Sequence, residues 1–219
     1  MPSPLSLGVL ISGSGTNLQA IIDAIERDEL TAALRVVISN RPDAYGLMRA
    51  RHHGLPAVVI PHKDFSSRQA FEAKLIKTLH DYQVELVVLA GFMRLLSPFF
   101  IRTFPQRIVN IHPALLPAFP GIHAQRQAVE RGVRIAGATV HFVDEETDHG
   151  PIIMQAAVPV YPDDTEESLG ARILTQEHRI YPQAIQLFAE GRLEVRGGRV
   201  IVHNEIRSQT ATLRSPESV

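Results

Sequence analysis

The sequence predicts an α/β fold, a Rossmann-like open and mostly parallel sheet with helices on both faces. In the first half of the chain, short runs of apolar and largely β-branched residues alternate with segments whose apolar residues recur at helical spacing. These runs have no polar side, which is typical of parallel strands that are covered on both faces. In the second half, two longer strand-like segments precede a long C-terminal helix.

The first half of the chain is predicted to hold strands separated by helices. The predicted strands are the apolar runs 7–11, 36–38, 57–60, 86–89 and 108–112. The predicted helices, taken from the spacing of apolar side chains, lie at 18–25, 43–53 and 71–82. Because ligands of open sheets lie beyond the carboxyl ends of the strands, we expect Ser12, Gly91 and the segment 110–112 to lie near a site.

Two strands and one long helix dominate the second half. Segments 135–142 and 152–160 are strand-like, and we expect them to pair across the intervening loop, 144–151. Helical periodicity over 165–188 predicts the long helix. Its N-terminal cap is expected from one of three neighbouring polar residues, Asp163, Asp164 or Thr165.

The C-terminal part of the chain carries three further signals. Pro182 is expected to kink the long helix or to start a new one. A hairpin is predicted over 193–202, with its turn at Gly197-Gly198. The residues from 208 to 219 are mostly polar and are expected to form a disordered tail.

Bulk properties exclude several classes of protein. The chain has 219 residues and a formal net charge of −1, so the protein as a whole has no electrostatic attraction for nucleic acid. It has no cysteine, which excludes disulfides and thiolate chemistry and agrees with a cytoplasmic location. The sequence shows no signal peptide and no run approaching the ~18 apolar residues that a membrane span needs.

The candidate catalytic residues are an Asn-x-His pair and a distant aspartate. Asn110 and His112 are two positions apart on a predicted strand, so their side chains lie on one face. An amide donor beside an imidazole, which a carboxylate such as Asp148 could orient and charge, is suited to stabilising an oxyanion and moving a proton in acyl transfer. Taken singly, His112 is more often structural and Asp148 more often a turn residue.

A glycine-containing loop follows the first strand. Ser12-Gly-Ser-Gly-Thr-Asn17 opens the first helix, where an N-terminus favours an anion. It departs from the dinucleotide fingerprint, because Leu18 stands where the third glycine would be, and no lysine follows as in a Walker loop. A phosphate monoester therefore agrees better with this loop than a dinucleotide. The structural alternative is a tight turn that Thr16 or Asn17 caps.

Taken together, these motifs resemble those of the folate-dependent formyltransferases. That family carries Asn-x-His-x-Ser-Leu-Leu-Pro followed by Asp-x-Gly-Pro, and this chain has Asn110-Ile-His-Pro-Ala-Leu-Leu-Pro117 and Asp148-His-Gly-Pro151. Ala114 replaces the usual serine, at a position outside the catalytic three. The loop at 12–17 and the string Gln176-Glu-His-Arg-Ile-Tyr-Pro182 resemble the glycinamide ribonucleotide transformylases of the family.

The resemblance implies a role for each matching residue. The implied catalytic residues are Asn110, His112 and Asp148. The implied contacts of the ribonucleotide are Gly15, Thr16, Asn17 and Glu177. The implied contacts of the folate are Arg68, Met93, Arg94, Leu95, Leu96, Asn110, Asp144, Glu145, Glu146, Thr147 and Asp148. His123 and His141 neighbour the site by motif and are expected to be structural or supporting residues.

The implied reaction is formyl transfer from 10-formyltetrahydrofolate, a consumed co-substrate, to the glycine amine of glycinamide ribonucleotide in purine biosynthesis. Neither a metal nor NAD takes part, and the partners are small molecules, with no nucleic acid and no membrane. A single domain is expected over 1–207, with a ribonucleotide-phosphate half at about 1–105 and a catalytic, folate-binding half at about 106–207. The protein is expected to be a monomer or a homodimer.

Three alternatives remain. The tRNA formyltransferases of the family are longer, and the formyltetrahydrofolate deformylases usually carry an N-terminal regulatory domain, whereas the pattern here begins at Leu7. A catalytically silent folate- or nucleotide-binding module would be expected to have lost part of the Asn–His–Asp set.

His149 stands where a smaller residue is common, and a second imidazole there could add a limb to the pH–rate profile.

Overall fold

The computed structural model describes residues 3–205 and residue 215. Its elements, in chain order, are β1 (Leu5–Ile11), α1 (Thr16–Glu26), β2 (Ala32–Ser39), α2 (Gly46–His52), β3 (Ala57–Val59), α3 (Arg68–Asp81), β4 (Leu86–Leu89), α4 (Pro98–Thr103), β5 (Ile108–His112), α5 (Ala124–Arg131), β6 (Ile135–Phe142), β7 (Ile152–Pro159), α6 (Glu166–Ala189), β8 (Leu193–Arg196) and β9 (Arg199–Val202). A 3₁₀ turn at His62–Asp64 precedes α3.

The strands form an open sheet in the order β3-β2-β1-β4-β5-β6-β7. Neighbouring strands from β3 to β5 pair in parallel, whereas β6 runs antiparallel to β5 and β7 antiparallel to β6. The predicted mostly parallel α/β sheet is therefore confirmed. The predicted pairing of the two long strands and the hairpin turning at Gly197-Gly198 are also present, the latter as β8 and β9.

Two hydrophobic cores cover the two faces of the sheet. In β1, Leu7 and Val9 belong to the core formed with α1 and α6, while Leu10 points into the core formed with α3 and α4. This alternation follows from the two-residue repeat of a strand, and it explains why the strand sequences are apolar on both faces. Helices on both faces were predicted from that pattern.

Several element bounds differ from the prediction. Helix α2 begins at Gly46 rather than at residue 43, and two helices, α4 and α5, were not predicted. Helix α4 has only six residues, and α5 buries only Ala124 and Ala128, so neither carries enough apolar periodicity to be recognised from sequence.

The long helix α6 is continuous through Pro182, so the proline does not start a new helix. Its cap is Thr165, whose side chain accepts a hydrogen bond from the backbone N–H of Ser168 in a capping box. The expected tail at 208–219 lies outside the described residues, apart from Ser215. None of the helices described is long and apolar enough to cross a bilayer.

The packing of α6 brings it against the strand ends that form the site. The fully buried Tyr181 hydroxyl lies 2.9 Å from the carbonyl oxygen of Leu89 and 3.1 Å from that of Val109, so its hydrogen bond is shared between β4 and β5. Burial raises the pKa of this phenol well above its ordinary value, which keeps it a donor. The helix is thereby joined to the carboxyl end of β4 and to the residue of β5 that precedes Asn110.

Candidate active site

Asn110 and His112 lie at the end of β5, on the face predicted from their spacing. In the antiparallel register with β6, Asn110 stands opposite His141 and His112 opposite Thr139. Pro113 follows directly and favours an extended conformation for His112. The imidazole of His112 is buried, with 4% of the residue exposed, whereas Asn110 is partly accessible.

Both ring nitrogens of His112 face oxygen acceptors. The Nε2–H donates to the carbonyl oxygen of Phe119 at 2.8 Å, and Nδ1 lies 3.4 Å from Oδ2 of Asp148. A neutral imidazole has one N–H, so only the doubly protonated ring can donate to both acceptors. The predicted partnership of His112 with Asp148 is thus present in the geometry.

The loop that carries Asp148 is held close to the sheet. Asp148 has a positive φ of 52°, and its Oδ2 accepts a hydrogen bond of 2.8 Å from the backbone N–H of Gly121. A Cβ atom on Gly150 would lie 1.9 Å from the carbonyl oxygen of Phe142, so only glycine permits the loop to return over the end of β6 at that point. This close return places the carboxylate beside His112.

His141 links Asn110 to the backbone of β6. The Nδ1–H of His141 donates to the carbonyl oxygen of Phe142 at 2.9 Å, which leaves Nε2 to accept from the Asn110 amide Nδ2 at 3.3 Å. Burial lowers the pKa of His141, so the neutral ring that this arrangement requires is favoured. His141, expected to be a supporting residue, therefore sets the orientation of the Asn110 amide, whose NH₂ group faces His141.

The loop before α1 leaves the start of that helix without a side-chain cap. Gly15 is the N-cap residue, with φ 69°, and no capping hydrogen bond from a side chain is present there in the described part of the chain. The alternative of a turn capped by Thr16 or Asn17 is therefore wrong. A Cβ atom on Gly15 would lie 2.6 Å from Cα of Gly46, so this glycine also permits α2 to approach the loop.

Asn17 and Glu177 meet in a buried polar pair between α1 and α6. The Asn17 amide Nδ2 donates to Oε2 of Glu177 at 2.7 Å, and Asn17 Oδ1 is buried without a hydrogen-bond partner among the described residues. Burial raises the pKa of the Glu177 carboxyl, and the hydrogen bond from Asn17 opposes that shift only in part. A carboxyl and a free amide oxygen at one place can together receive N–H groups of a ligand.

The segment after β4 is joined to the start of α3. Arg68 donates through one terminal guanidinium nitrogen, Nη2, to the carbonyl oxygen of Leu95 at 2.6 Å, and the backbone N–H of Met93 donates to Ser12 Oγ at 2.8 Å. The guanidinium carbon of Arg94 lies 5.9 Å from the ring centre of Phe71. The predicted folate contacts Arg68, Met93, Arg94 and Leu95 therefore lie in one region. Leu96, the next residue, packs against the core beneath α3 and α4.

Glu72, which sequence reasoning missed, supports this region. It is almost fully buried and accepts hydrogen bonds from Arg68 Nε at 3.2 Å and from the backbone N–H and hydroxyl of Ser97. The spacing of four residues between Arg68 and Glu72 on a helix was the available signal. Its burial could not be inferred, because it depends on the segment 95–97 packing over the helix.

The loop of predicted folate contacts, 144–148, is half-buried at Asp144 and Asp148 and exposed between them, and it carries several ion pairs. Arg102 binds Glu145 through two nitrogens at 2.7 and 3.1 Å, and His149 Nδ1 lies 3.0 Å from Oδ2 of Asp144. The hydrogen bond with Asp144 is the main reason why the pKa of His149 is raised. Two further exposed residues of the loop, Glu146 and Thr147, precede Asp148.

The sequence and the fold are similar to those of known formyltransferases. Residues 6–185 match the family described as formyl transferase. The chain is 49% identical over 191 residues to the phosphoribosylglycinamide formyltransferase of Escherichia coli strain K12, covering 87% of this chain and 90% of that protein. It is 52% identical to part of the trifunctional purine biosynthetic protein adenosine-3 of Drosophila melanogaster, covering 84% of this chain and 14% of that one.

Among solved structures, glycinamide ribonucleotide transformylase 1 from Symbiobacterium toebii superposes with a TM-score of 0.91 at 56% identity, covering 92% of this chain and 95% of that chain. The family match spans most of the chain and includes both the loop at 12–17 and the cluster around His112. The protein belongs to the formyl transferase family.

Proposed function

We propose that the protein transfers the formyl group of 10-formyltetrahydrofolate to the amine of 5-phosphoribosylglycinamide. The observation that carries this proposal is the meeting of Asn110, His112 and Asp148 at the end of β5, between a helix N-terminus on one side and the 91–97 segment on the other. The names of similar proteins, which include phosphoribosylglycinamide formyltransferase, support the same substrate pair.

The acceptor is assigned to the α1 side of the cluster. The first-turn N–H groups at Gly15, Thr16 and Asn17 form an anion site for the phosphate, because no side chain of the described residues caps them. Glu177 and the free Oδ1 of Asn17 supply acceptors for N–H groups of the glycinamide. The amine would then lie between the phosphate loop and His112.

The folate is assigned to the opposite side. Arg68 supplies a cation for the glutamate carboxylates, and the exposed apolar side chains of Met93 and Leu95 supply part of a surface for the flat ring system. The loop 144–148 closes this site and contributes backbone groups. The folate donor combines an aromatic heterocycle, which needs an apolar surface, with carboxylates, which need a cation.

Catalysis in this proposal is a direct acyl transfer. The acceptor nitrogen attacks the formyl carbon, a new C–N bond forms, and the carbonyl oxygen becomes an oxyanion that Asn110 and doubly protonated His112 stabilise. The bond from that carbon to the folate nitrogen then breaks, and the proton lost by the amine passes to the leaving nitrogen. Asp148 keeps His112 charged and oriented throughout.

One existing contact must change in that sequence. The Nε2–H of His112 donates to the carbonyl oxygen of Phe119, which occupies the position that an oxyanion needs. Donation to the substrate therefore requires the formyl oxygen to replace the Phe119 carbonyl. Phe119 has a positive φ of 55°, a conformation that is unfavourable for a bulky residue, so the segment can relax when it gives up this contact.

The test is a spectrophotometric assay with 10-formyl folate as the donor, run with and without 5-phosphoribosylglycinamide. Loss of the formyl group that depends on the acceptor, with the formylated ribonucleotide recovered in equal amount, is the expected result. Equal loss without the acceptor would identify a deformylase. Folate binding without any loss would identify a silent binding module, and either result would overturn the proposal.

A further inference from the structure

A cavity begins at Thr16, the first residue of α1, and extends along that helix away from His112 and Asp148. It has a volume of about 470 Å³, and its lining includes Thr16 but neither His112 nor Asp148. That volume is in the range of small-molecule sites. The proposed function uses only the end of this cavity at Thr16.

The cavity follows one face of α1. Thr16, Ala20, Asp23 and Arg27 line it, at helical spacing from the first residue of α1 to the residue that caps its C-terminus. Eleven steps along an α-helix cover ~16 Å, so the groove is considerably longer than one phosphate group. Side chains of α2 and α6 form its two walls.

The walls are cationic. Arg49 from α2 and Arg179 from α6 line the cavity with Arg27, and Asp23 is the acidic residue among the lining residues, which leaves a net charge of 3 − 1 = +2. Arg49 is fixed beside the loop, because its Nε donates to the Ser14 carbonyl at 2.9 Å and its guanidinium lies 5.0 Å from the ring centre of Tyr45.

The other arginines and the acidic residue are placed differently. Arg27 pairs with Glu29 at 2.8 Å at the exposed end of the groove, so its charge is shared. Asp23 accepts a hydrogen bond from the Gln19 amide at 2.8 Å, which orients its carboxylate along the helix. Arg49 therefore supplies positive charge at the loop end of the groove, Arg179 supplies it from α6, and Asp23 is the acidic residue between the two ends of the α1 face.

His178, on α6, also lines the cavity. Nε2 of His178 is inaccessible and has no hydrogen-bond partner among the described residues, although His178 lines the cavity. Burial lowers the pKa of this imidazole, so the ring is neutral and can carry its single N–H on Nε2. The neutral ring adds no positive charge, so the cationic character of the walls comes from the arginines.

We infer that this cavity binds the phosphate chain of a di- or triphosphate, whose first phosphate occupies the N-terminus of α1 and whose later phosphates lie along the arginines. The ligand class is a linear oligophosphate, either free or carried by a nucleoside. Such a ligand would compete with the acceptor for the helix N-terminus. The inference rests on the proposed function only in placing a phosphate at residues 15–17.

The experiment is a calorimetric titration of the full chain with inorganic phosphate, pyrophosphate and triphosphate in metal-free buffer. We expect the dissociation constant to fall by about tenfold or more from phosphate to triphosphate, because one well-made charge-assisted hydrogen bond contributes that much. The test variant is R27Q/R179Q, which removes two cavity arginines and leaves Arg49 in contact with the loop. The control variant, R131Q/R199Q, removes the same charge outside the cavity.

In R27Q/R179Q the gain in affinity from phosphate to triphosphate should shrink to about twofold, while phosphate itself binds as in the unaltered protein. In R131Q/R199Q the full gain in affinity should persist. Absence of a gain in the unaltered protein, or equal gains in both variants, would overturn the inference. A nucleoside triphosphate titrated beside the inorganic one identifies the source, since tighter binding of the nucleotide means that base or ribose adds contacts.

The readout is independent of catalysis. A protein that transfers no formyl group, but whose affinity rises from phosphate to triphosphate, would contradict the proposed function and support the oligophosphate site. A protein that transfers formyl groups but binds the three anions equally would do the reverse. In the active enzyme, triphosphate should raise the apparent KM for the acceptor and leave the KM for the folate unchanged.

Discussion

Each ring nitrogen of His112 faces an oxygen acceptor. The Phe119 carbonyl and the Asp148 carboxylate each face one nitrogen, at 2.8 and 3.4 Å. These two contacts fix the orientation of the ring, and Nε2 must leave the Phe119 carbonyl before it can donate to a substrate oxygen. In the proposed reaction, this oriented ring beside the Asp148 carboxylate is the group that stabilises the oxyanion.

The first prediction concerns Asp148→Asn. The change keeps an oxygen that can accept from the Gly121 N–H, so the loop should retain its conformation. It removes the charge beside His112 and should lower kcat by about 10²–10⁴-fold, the usual contribution of acid–base groups. Steady-state kinetics would measure kcat, and calorimetry the affinity for the acceptor, which should change little. Asp163→Asn, at an exposed site, is the control; near-normal turnover in the Asp148 variant would remove the assigned role.

The second prediction uses the burial of Glu177. Its folded-state pKa is raised above the ordinary value of 4.5, so this carboxyl contributes stability at low pH that is lost as the pH rises through the folded pKa. Glu177→Gln cannot ionise and should keep the hydrogen bond from Asn17. The variant should therefore gain stability relative to the unaltered protein as the pH rises from the ordinary pKa of 4.5 through the raised folded-state pKa.

Urea unfolding at several pH values in that range would measure this difference. A free-energy difference that stays constant with pH would mean that Glu177 is ionised in the folded protein as readily as in the unfolded chain. The same variant should have a raised KM for 5-phosphoribosylglycinamide, because the amide is a weaker acceptor than the carboxylate.

At the scale of elements, α3 and the segment 91–97 behave as one unit because Glu72 joins them. Its buried carboxylate accepts hydrogen bonds from Arg68, on the same helix, and from Ser97, the residue that caps α4. Arg68 in turn holds the carbonyl of Leu95. The proposed folate surface beside α3 is thus set by contacts between elements that are separate in sequence.

Glu72→Gln tests this arrangement. An amide there keeps the shape but cannot accept from three donors as strongly, so the free energy of unfolding should fall by about 1–3 kcal/mol. The KM for the folate donor should rise several-fold while kcat stays close to normal, since Glu72 does not touch the reacting atoms. Glu130→Gln, at an exposed position on α5, should alter neither quantity. A loss of kcat without a change in KM would contradict a positioning role.

For the whole molecule, the site depends on how α6 is seated on the sheet. Tyr181 shares its hydroxyl between the carbonyls of Leu89, at the end of β4, and Val109, which precedes Asn110 in β5. Glu177 lies one helical turn earlier on α6 and pairs with Asn17 of α1. The position of the proposed acceptor site relative to His112 is therefore set by residues far apart in sequence.

Tyr181→Phe should lower the free energy of unfolding by about 1–3 kcal/mol, because the buried carbonyls lose their shared donor. It should also raise the KM for the acceptor, since Glu177 is carried by the same helix. Denaturant unfolding and steady-state kinetics measure the two effects. Tyr161→Phe, at a residue that is 51% exposed, is the matched control, and equal effects in both variants would show that the Tyr181 hydroxyl does not seat the helix.

Local patterns by themselves determined the mostly parallel α/β fold, the bounds of β6 at 135–142, the hairpin at 193–202 and the shared face of Asn110 and His112. These features depend on residue spacing and on turn residues, which are visible along the chain. The resemblance in motifs also identified the family, since the spacing from Asn110 to Pro151 is specific.

Only the tertiary structure decided which distant groups meet. The contact of His112 with the Phe119 carbonyl, the pairing of His141 with Asn110, the burial of Glu72 and the cationic groove along α1 each join separate elements. Register across β5 and β6, and the packing of α2 and α6 on α1, set these contacts through side-chain volumes and loop lengths. No local pattern encodes them, because the partners are chosen by the packing of the whole molecule.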